Sequence, residues 1–336
     1  MLGRAVSVPW SNKIKNKKQT ENGRREITMS QKILPGGHFL EMFMPYRSDE
    51  AKMIQVLERA CGFGFYKNAE LGIFFDKENR KRVRTILEEN RMNATTFSTP
   101  WVKDDKLSLA DLDEGKRRKA VDLCKKLADL AAETGYSNFG VPSGDDPGPV
   151  FRGLAKLALK ESLIEIAEHL KQYGMNLTIE PLDRYAFKKQ LIGPMEENVV
   201  WFHEVKEEAP NAFIHWDSAH EALARIDLMK SLDLAAPYLG QFHLCDAIVD
   251  PKEPCFGDLH MDVARAPEWK TEGFLTPEVG AEILKKVASF DRPAGMEQVY
   301  VAVEVLGHPG DDLWLKEENV RAFLKRCFEL AGLPTE

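Results

Sequence analysis

Four short runs in the second half of this chain each end in a residue type that binds metal ions. They are Leu177-Thr178-Ile179-Glu180, Phe213-Ile214-His215-Trp216-Asp217, Gly240-Gln241-Phe242-His243 and Tyr300-Val301-Ala302-Val303-Glu304. Each has an apolar or β-branched body, the composition of a buried strand. Each then carries one carboxylate or imidazole and runs into a loop. Parallel strands closed into a barrel deliver their C-terminal ends to one rim, where active sites of such barrels sit. Two Glu, one Asp and one His converging there offer an O,O,O,N donor set for a hard or borderline divalent cation.

The rest of the chain fits the same frame. Past Pro35-Gly36-Gly37, short apolar runs alternate with amphipathic helical stretches, the pattern of repeated βα units. Earlier strands are expected at His38–Met44, near Ala69–Phe74, at Asn93–Ser98 and at Ser137–Val141. Helices are expected over Asp49–Ala60, Lys77–Asn90, Gly115–Gly135, Gly153–Tyr173 and Lys316–Ala331. Gly135 and Gly174 each follow a helical run and precede a strand, as helix-ending glycines do. Eight units in roughly 300 residues fit one α/β fold, a (β/α)8 TIM barrel over residues 34–336. A Rossmann-type sheet is the alternative, but no GxGxxG follows the first strand.

Charge narrows the partners. The net charge is −7; residues 1–33 hold eight Lys or Arg and two Glu, +6, which leaves −13 on the remainder. An acidic body of this kind argues against a nucleic-acid surface. No apolar run reaches membrane-spanning length, so no membrane partner is expected. The five cysteines show no CxxC spacing and read as thiols in a reducing compartment, hence a cytoplasmic protein. Residues 1–33 are basic and polar, lack the apolar core of a secretory signal, and are expected to form a disordered tail.

The strand-end residues suggest proton chemistry. Glu180 and Glu304 sharing one metal ion leave carboxylate oxygens facing a substrate from two sides. A polarised carbonyl acidifies the neighbouring C–H bond. One carboxylate removes that proton and the other returns it.

Four motifs carry a family resemblance over about residues 38–332. They are Ile179-Glu180-Pro181-Leu182-Asp183-Arg184, Trp216-Asp217-Ser218-Ala219-His220, Phe242-His243-Leu244-Cys245-Asp246 and Val303-Glu304. With them the chain resembles the xylose-isomerase-like superfamily of TIM barrels, which holds sugar isomerases, sugar 3-epimerases and hydroxypyruvate isomerase-like proteins. The resemblance implies that Glu180, Asp217, His243 and Glu304 bind one divalent metal, Mn²⁺ before Mg²⁺ or Co²⁺. It implies that Glu180 and Glu304 also act as the acid/base pair, with His220 against the substrate's oxygens. The implied activity is a metal-dependent sugar isomerase or epimerase acting on a small-molecule carbohydrate, in a homo-oligomer.

Two departures open a second reading. Ala186 stands where the family often has a Glu, and Asp183 where it often has an Asn. The run Asp250-Pro251-Lys252-Glu253-Pro254-Cys255-Phe256-Gly257-Asp258-Leu259-His260 is similar to a loop of the metal-binding α subunits of C-glycoside deglycosidases. Those lyases act on 3-oxo-glycosides with a small β partner. On either reading Arg184, His260, Trp101 and Tyr46 are the candidate substrate contacts. Ser143-Gly144 is a candidate substrate loop. His215 is expected to pack a layer below Asp217, and His38, His169, His203 and His308 to take no part.

The tail yields a direct expectation. Deleting Met1–Ser30 should leave the melting temperature and activity unchanged; a large drop in melting temperature would show that the tail packs.

Overall fold

A computed structural model describes residues 32–263, 273–291, 293, 296 and 298–336. Eight parallel strands close into one barrel in chain order. They are β1 Lys32–His38, β2 Asn68–Glu70, β3 Asn93–Phe97, β4 Asn138–Val141, β5 Asn176–Ile179, β6 Ala212–Asp217, β7 Leu239–Cys245 and β8 Gln298–Glu304. Helices follow the strands and cover the outer face. Lys77–Asn90 and Glu114–Thr134 lie close to their expected bounds.

Local chemistry sets these boundaries. Asp76 and Asp113 accept hydrogen bonds from Asn79 and Lys116 backbone N–H groups, 2.9 and 3.1 Å, and so cap the two helices. Gly135 ends the second with φ +90°, a conformation that a side chain disfavours. The apolar stripes of the helices bury Val83, Ile86, Leu87, Val121, Leu127 and Leu163 against the outward faces of the strands. Among the described residues no helix is long and apolar enough to cross a membrane.

The barrel lumen is polar, unlike the branched apolar filling common in such barrels. Asn68, Thr95, Asn138 and Gln241 are all buried. Thr95 Oγ1 donates to Gln241 Oε1 at 3.0 Å, and Gln241 Nε2 donates to Glu70 Oε1 at 2.6 Å. Period-two alternation puts Gln241 and His243 on one face of β7, and His215 and Asp217 on one face of β6. Register then stacks the chemistry, because Asp217 pairs with His243, and His38 with Glu70, across neighbouring strands.

The first strand departs from expectation. β1 is Lys32–His38, and the expected strand at His38–Met44 is instead a short helix, Phe39–Met42, followed by a turn. Pro35-Gly36-Gly37 lies inside the strand rather than ahead of it. A Cβ at Gly37 would lie 2.3 Å from the Phe39 ring, so this strand end needs glycine. The shift carries His38 from a strand start to the C-terminal rim. β2 is likewise shorter than expected and ends at Glu70.

Gly307 ties the rim together. Its N–H donates to the Glu41 carbonyl at 2.9 Å, and an added Cβ would lie 2.1 Å from the Met42 carbonyl oxygen. Gly307→Ala should therefore lower stability by about 1–3 kcal/mol in urea melts. An unchanged midpoint would show that the two loops are not in register there.

Candidate metal centre and active site

Glu180, Asp217, His243 and Glu304 offer donor atoms that all lie within 4.8 Å of one another. Asp217 and Glu304 are the last residues of β6 and β8, and Glu180 follows β5 by one residue. Glu304 Oε2 lies 3.0 Å from His243 Nδ1. Asp217 Oδ1 accepts from the Ala219 and His220 backbone N–H groups, 2.7 and 3.2 Å, and so caps the helix Ser218–Leu223.

The second oxygen of Asp217, and Glu180 Oε1, are buried with no hydrogen-bond partner. A buried carboxylate oxygen left unpaired is costly. Burial pushes the Glu180 carboxyl up to about 8, with Glu304 and Asp217 adding to the effect and His220 opposing it. Burial likewise pushes Asp217 up to about 6. Carboxylate oxygens without a hydrogen-bond partner, in a group whose donor atoms lie within 4.8 Å of one another, fit a divalent cation. These residues could hold one such ion.

Glu70 stands behind this set. Its Oε2 lies 2.8 Å from His243 Nε2 and 2.5 Å from His38 Nδ1. Glu70 is fully buried, yet His243 and His38 hold its carboxyl below the usual range against the burial penalty. One His243 nitrogen thus faces Glu70 and the other faces Glu304. A carboxylate behind an imidazole fixes ring orientation and tautomer in metal sites. His38, Glu70 and His243 also form a ligand-type group, as do His38, Glu41 and Glu304, and Glu180, His215 and His243. The Glu180–Asp217–His243–Glu304 set holds both unpaired carboxylate oxygens, Glu180 Oε1 and Asp217 Oδ2, and His215 adds two unpaired ring nitrogens beside Glu180 and His243.

A second arc of charge faces Glu180. His220 Nε2 lies 3.6 Å from Glu180 Oε1 and 3.7 Å from Asp258 Oδ2, while its Nδ1 lies 3.6 Å from Asp183. Burial opposes the charge on His220, but Asp183, Asp258, Asp217 and Glu180 outweigh it and raise the imidazole to about 9. Asp258 Oδ2 is 2.9 Å from Lys188 Nζ and 3.0 Å from His260 Nε2. Burial disfavours the Lys188 ammonium, yet Asp258 holds it above the ordinary lysine range. His260 Nδ1 pairs with Glu41 and lies 3.5 Å from Glu304 Oε1. The cavity of about 300 Å³ at the rim is lined by His38, Glu180, Lys188, His220, His243 and Glu304, among others.

The candidate residues therefore divide. Glu180, His220, His243, His260 and Glu304 line this cavity, and Asp217 closes its wall. Arg184, Trp101 and Tyr46, read from sequence as substrate contacts, stand outside it. Arg184 is buried; it donates to the Leu191 carbonyl at 2.6 Å and pairs with Glu197. Trp101 packs edge-on against Phe75, ring centres 6.1 Å apart, and Tyr46 packs on Phe43 at 6.2 Å. Both rings are half-buried against the edge of the apolar core. His215 lies where expected, buried below Asp217 and 4.0 Å from the His243 ring, with its charged form strongly disfavoured by burial. His38 was expected to be inert and is part of the site. Glu41, Glu70, Lys188 and Asp258 went unread in the sequence. Glu70 carried a signal, since it ends a strand as the four ligands do.

The comparisons bear on the family and the fold. The model of the xylose isomerase-like TIM barrel family matches residues 59–266. The chain belongs to that family. No curated protein sequence matches it. Among solved structures, D-psicose 3-epimerase from Clostridium cellulolyticum H10 with D-tagatose superposes with TM-score 0.64 at 15% identity, over 89% of this chain and 99% of that one. The E. coli 3-keto-D-glucoside 4-epimerase gives 0.61 at 15% identity, over 88% and 100%. A family 2 AP endonuclease from Brucella melitensis gives 0.57 at 16% identity, over 84% and 96%. At such identities the likeness is one of fold.

The site makes a graded expectation. Asp217→Ala and His243→Ala should each remove stoichiometric divalent metal without unfolding the barrel. Glu70→Gln should leave the fold intact but weaken metal affinity about 10–100-fold. Full occupancy in all three, measured by metal analysis after dialysis, would show that the ion is held elsewhere.

Proposed function

We propose that this chain is a divalent-metal-dependent sugar isomerase or epimerase that moves a proton on a carbon beside a carbonyl. The observation that carries the reading is the pairing of Glu180 and Glu304, one carboxylate partly buried and one buried, that share one ligand group and both line the cavity. A divalent ion held by Glu180, Asp217, His243 and Glu304, Mn²⁺ before Mg²⁺ or Co²⁺, would polarise the substrate's oxygen and acidify the neighbouring C–H bond.

The residues divide the remaining work. One carboxylate takes the proton from carbon and the other delivers a proton back. His220, held as a cation by Asp183 and Asp258, donates to a substrate oxygen and keeps it oriented. Lys188 and His260, which meet the same Asp258 oxygen as His220, present further N–H groups in that arc. The burial of these groups keeps bulk water from competing for the proton.

A neutral sugar or glycoside suits the cavity better than a sugar phosphate. Arg184 is already engaged by Glu197 and Leu191, and the Lys188 charge is met by Asp258. Ala186, where related chains often carry a Glu, packs with Ala219 and Leu223 and offers no carboxylate to a free ketose. The second reading is a deglycosidase-type lyase acting on 3-oxo-glycosides with a small β partner. Its support is the loop after β7, which turns inward and brings Asp258 and His260 to the cavity. A homo-oligomer in the cytoplasm, built on this single barrel, completes the proposal; Lys32 and Ile33 of the expected tail belong to the first strand, and its residues 1–31 lie outside the described residues.

Two measurements test it. Glu180→Gln and Glu304→Gln should each lower turnover about 10²-fold or more while leaving substrate binding largely intact; near wild-type turnover in both would refute the two-carboxylate mechanism. Solvent deuterium should enter a free ketose or a 3-oxo-glycoside at the carbon beside the carbonyl. Efficient exchange of a ketose phosphate alone would overturn the neutral-substrate reading.

A further inference from the structure

The rim cavity does not stand alone. A second hollow of about 600 Å³ opens beside it, and Lys103, Pro142 and Gln190 wall both. It lies between the stretch that follows β3 and the loop that follows β4. Leu107, Leu109, Ala110 and Leu112 supply an apolar wall on one side, with Pro147 on the other. The lysines that line it, Lys103 and Lys106, are matched by Asp111 and Asp145, so the hollow has little net charge.

This hollow is built into the framework. Ser162 Oγ donates to the Leu109 carbonyl at 2.8 Å and pins one wall to the helix Arg152–Lys171. The Leu191 N–H donates to the Gly144 carbonyl at 2.8 Å and pins the other to the loop after β5. Gly144 has φ +84°, and a Cβ there would lie 2.4 Å from Ser108 Oγ, so the two walls meet at a residue that must be glycine.

Gln190 marks the junction. Its side chain is 4% exposed and lines both hollows. Its Nε2 is used, donating to Asp145 Oδ1 at 2.7 Å. Its Oε1 is buried and has no donor. An unpaired amide oxygen at such a place is costly unless a ligand supplies an O–H or N–H.

We propose that the second hollow is a subsite for the non-sugar part of a glycoside: a flat, apolar and uncharged group joined to a sugar ring in the rim cavity. Gln190 Oε1 accepts a hydrogen bond from a hydroxyl close to the linkage. This rests on the carbohydrate reading of the rim cavity, and it places the substrate among glycosides rather than free monosaccharides. Volume agrees. The rim cavity, about 300 Å³, is at the lower end of ligand pockets, whereas the two hollows together approach the upper end, ~1,000 Å³. The extra room lies on the β3–β4 side, since the long loop after β7 fills its own side with Asp258 and His260.

The test compares methyl and phenyl 3-oxo-β-D-glucosides by equilibrium calorimetry on the full-length, metal-loaded protein. The phenyl glycoside should bind about tenfold more tightly than the methyl one. Leu112→Trp, at a rim position 48% exposed and so harmless to folding, should reduce that advantage below about threefold and leave the methyl affinity unchanged. Equal affinities in the wild type would overturn the subsite, and an advantage that survives Leu112→Trp would overturn its location. Binding of neither glycoside, with deuterium exchange into a free ketose, would refute the subsite and leave the carbohydrate reading standing. A phenyl advantage lost in Leu112→Trp, without exchange on any sugar, would support the subsite and refute the proposed chemistry.

Discussion

The structure turns on charge balance inside a barrel. Glu70, Asp183, Asp217, Asp258 and Glu304 are all buried at or near one rim, and Glu180 is partly so. Carboxylates in such a place must be paired, protonated or bound to a cation. His38 and His243 answer Glu70, while Lys188, His260 and His220 answer Asp258. Two oxygens remain unanswered, on Glu180 and Asp217. That local excess of negative charge, beside an imidazole already oriented by Glu70, is what argues for a divalent ion. The polar lumen serves the same end, since Gln241 and Thr95 carry hydrogen bonding from the barrel interior up to Glu70.

The same balance shapes the chemistry. On the proposed reading one carboxylate of the Glu180–Glu304 pair is the base and the other its partner. His220 is kept charged by four acidic neighbours and is better suited to donate than to abstract. Lys188, neutralised by Asp258, orients more than it attracts. The solved barrels that superpose on this one share about 15% of its residues, so the fold is common ground while the lining is particular to each chain. Lys188 and Gln190 belong to that lining.

Most of the fold was legible because alternation of apolar runs and amphipathic stretches survives in the sequence, and Asp and Gly punctuate it where helices start and stop. β1 was misread because Pro35-Gly36-Gly37 looks like a break. Its role as strand depends on the Phe39 ring, which no local pattern reveals. Glu180, Asp217, His243 and Glu304 stand out because each follows an apolar run, although His215 shares the run of Asp217 and β7 continues two residues past His243 to Cys245. Glu70 did not, because its strand has three residues and two are polar. Lys188 and Asp258 sit in loops, where position is set by tertiary pairing and leaves no period to read. Arg184 follows a predicted ligand closely in sequence, yet its guanidinium pairs with Glu197 and the Leu191 carbonyl, contacts that sequence spacing does not reveal.

The most direct test of the central claim is anomalous diffraction from crystals grown with Mn²⁺. The account predicts one anomalous peak per chain, surrounded by Glu180, Asp217, His243 and Glu304, with Glu70 on the far nitrogen of His243. A peak among His38, Glu70 and His243 instead, or none at full metal loading, would contradict it.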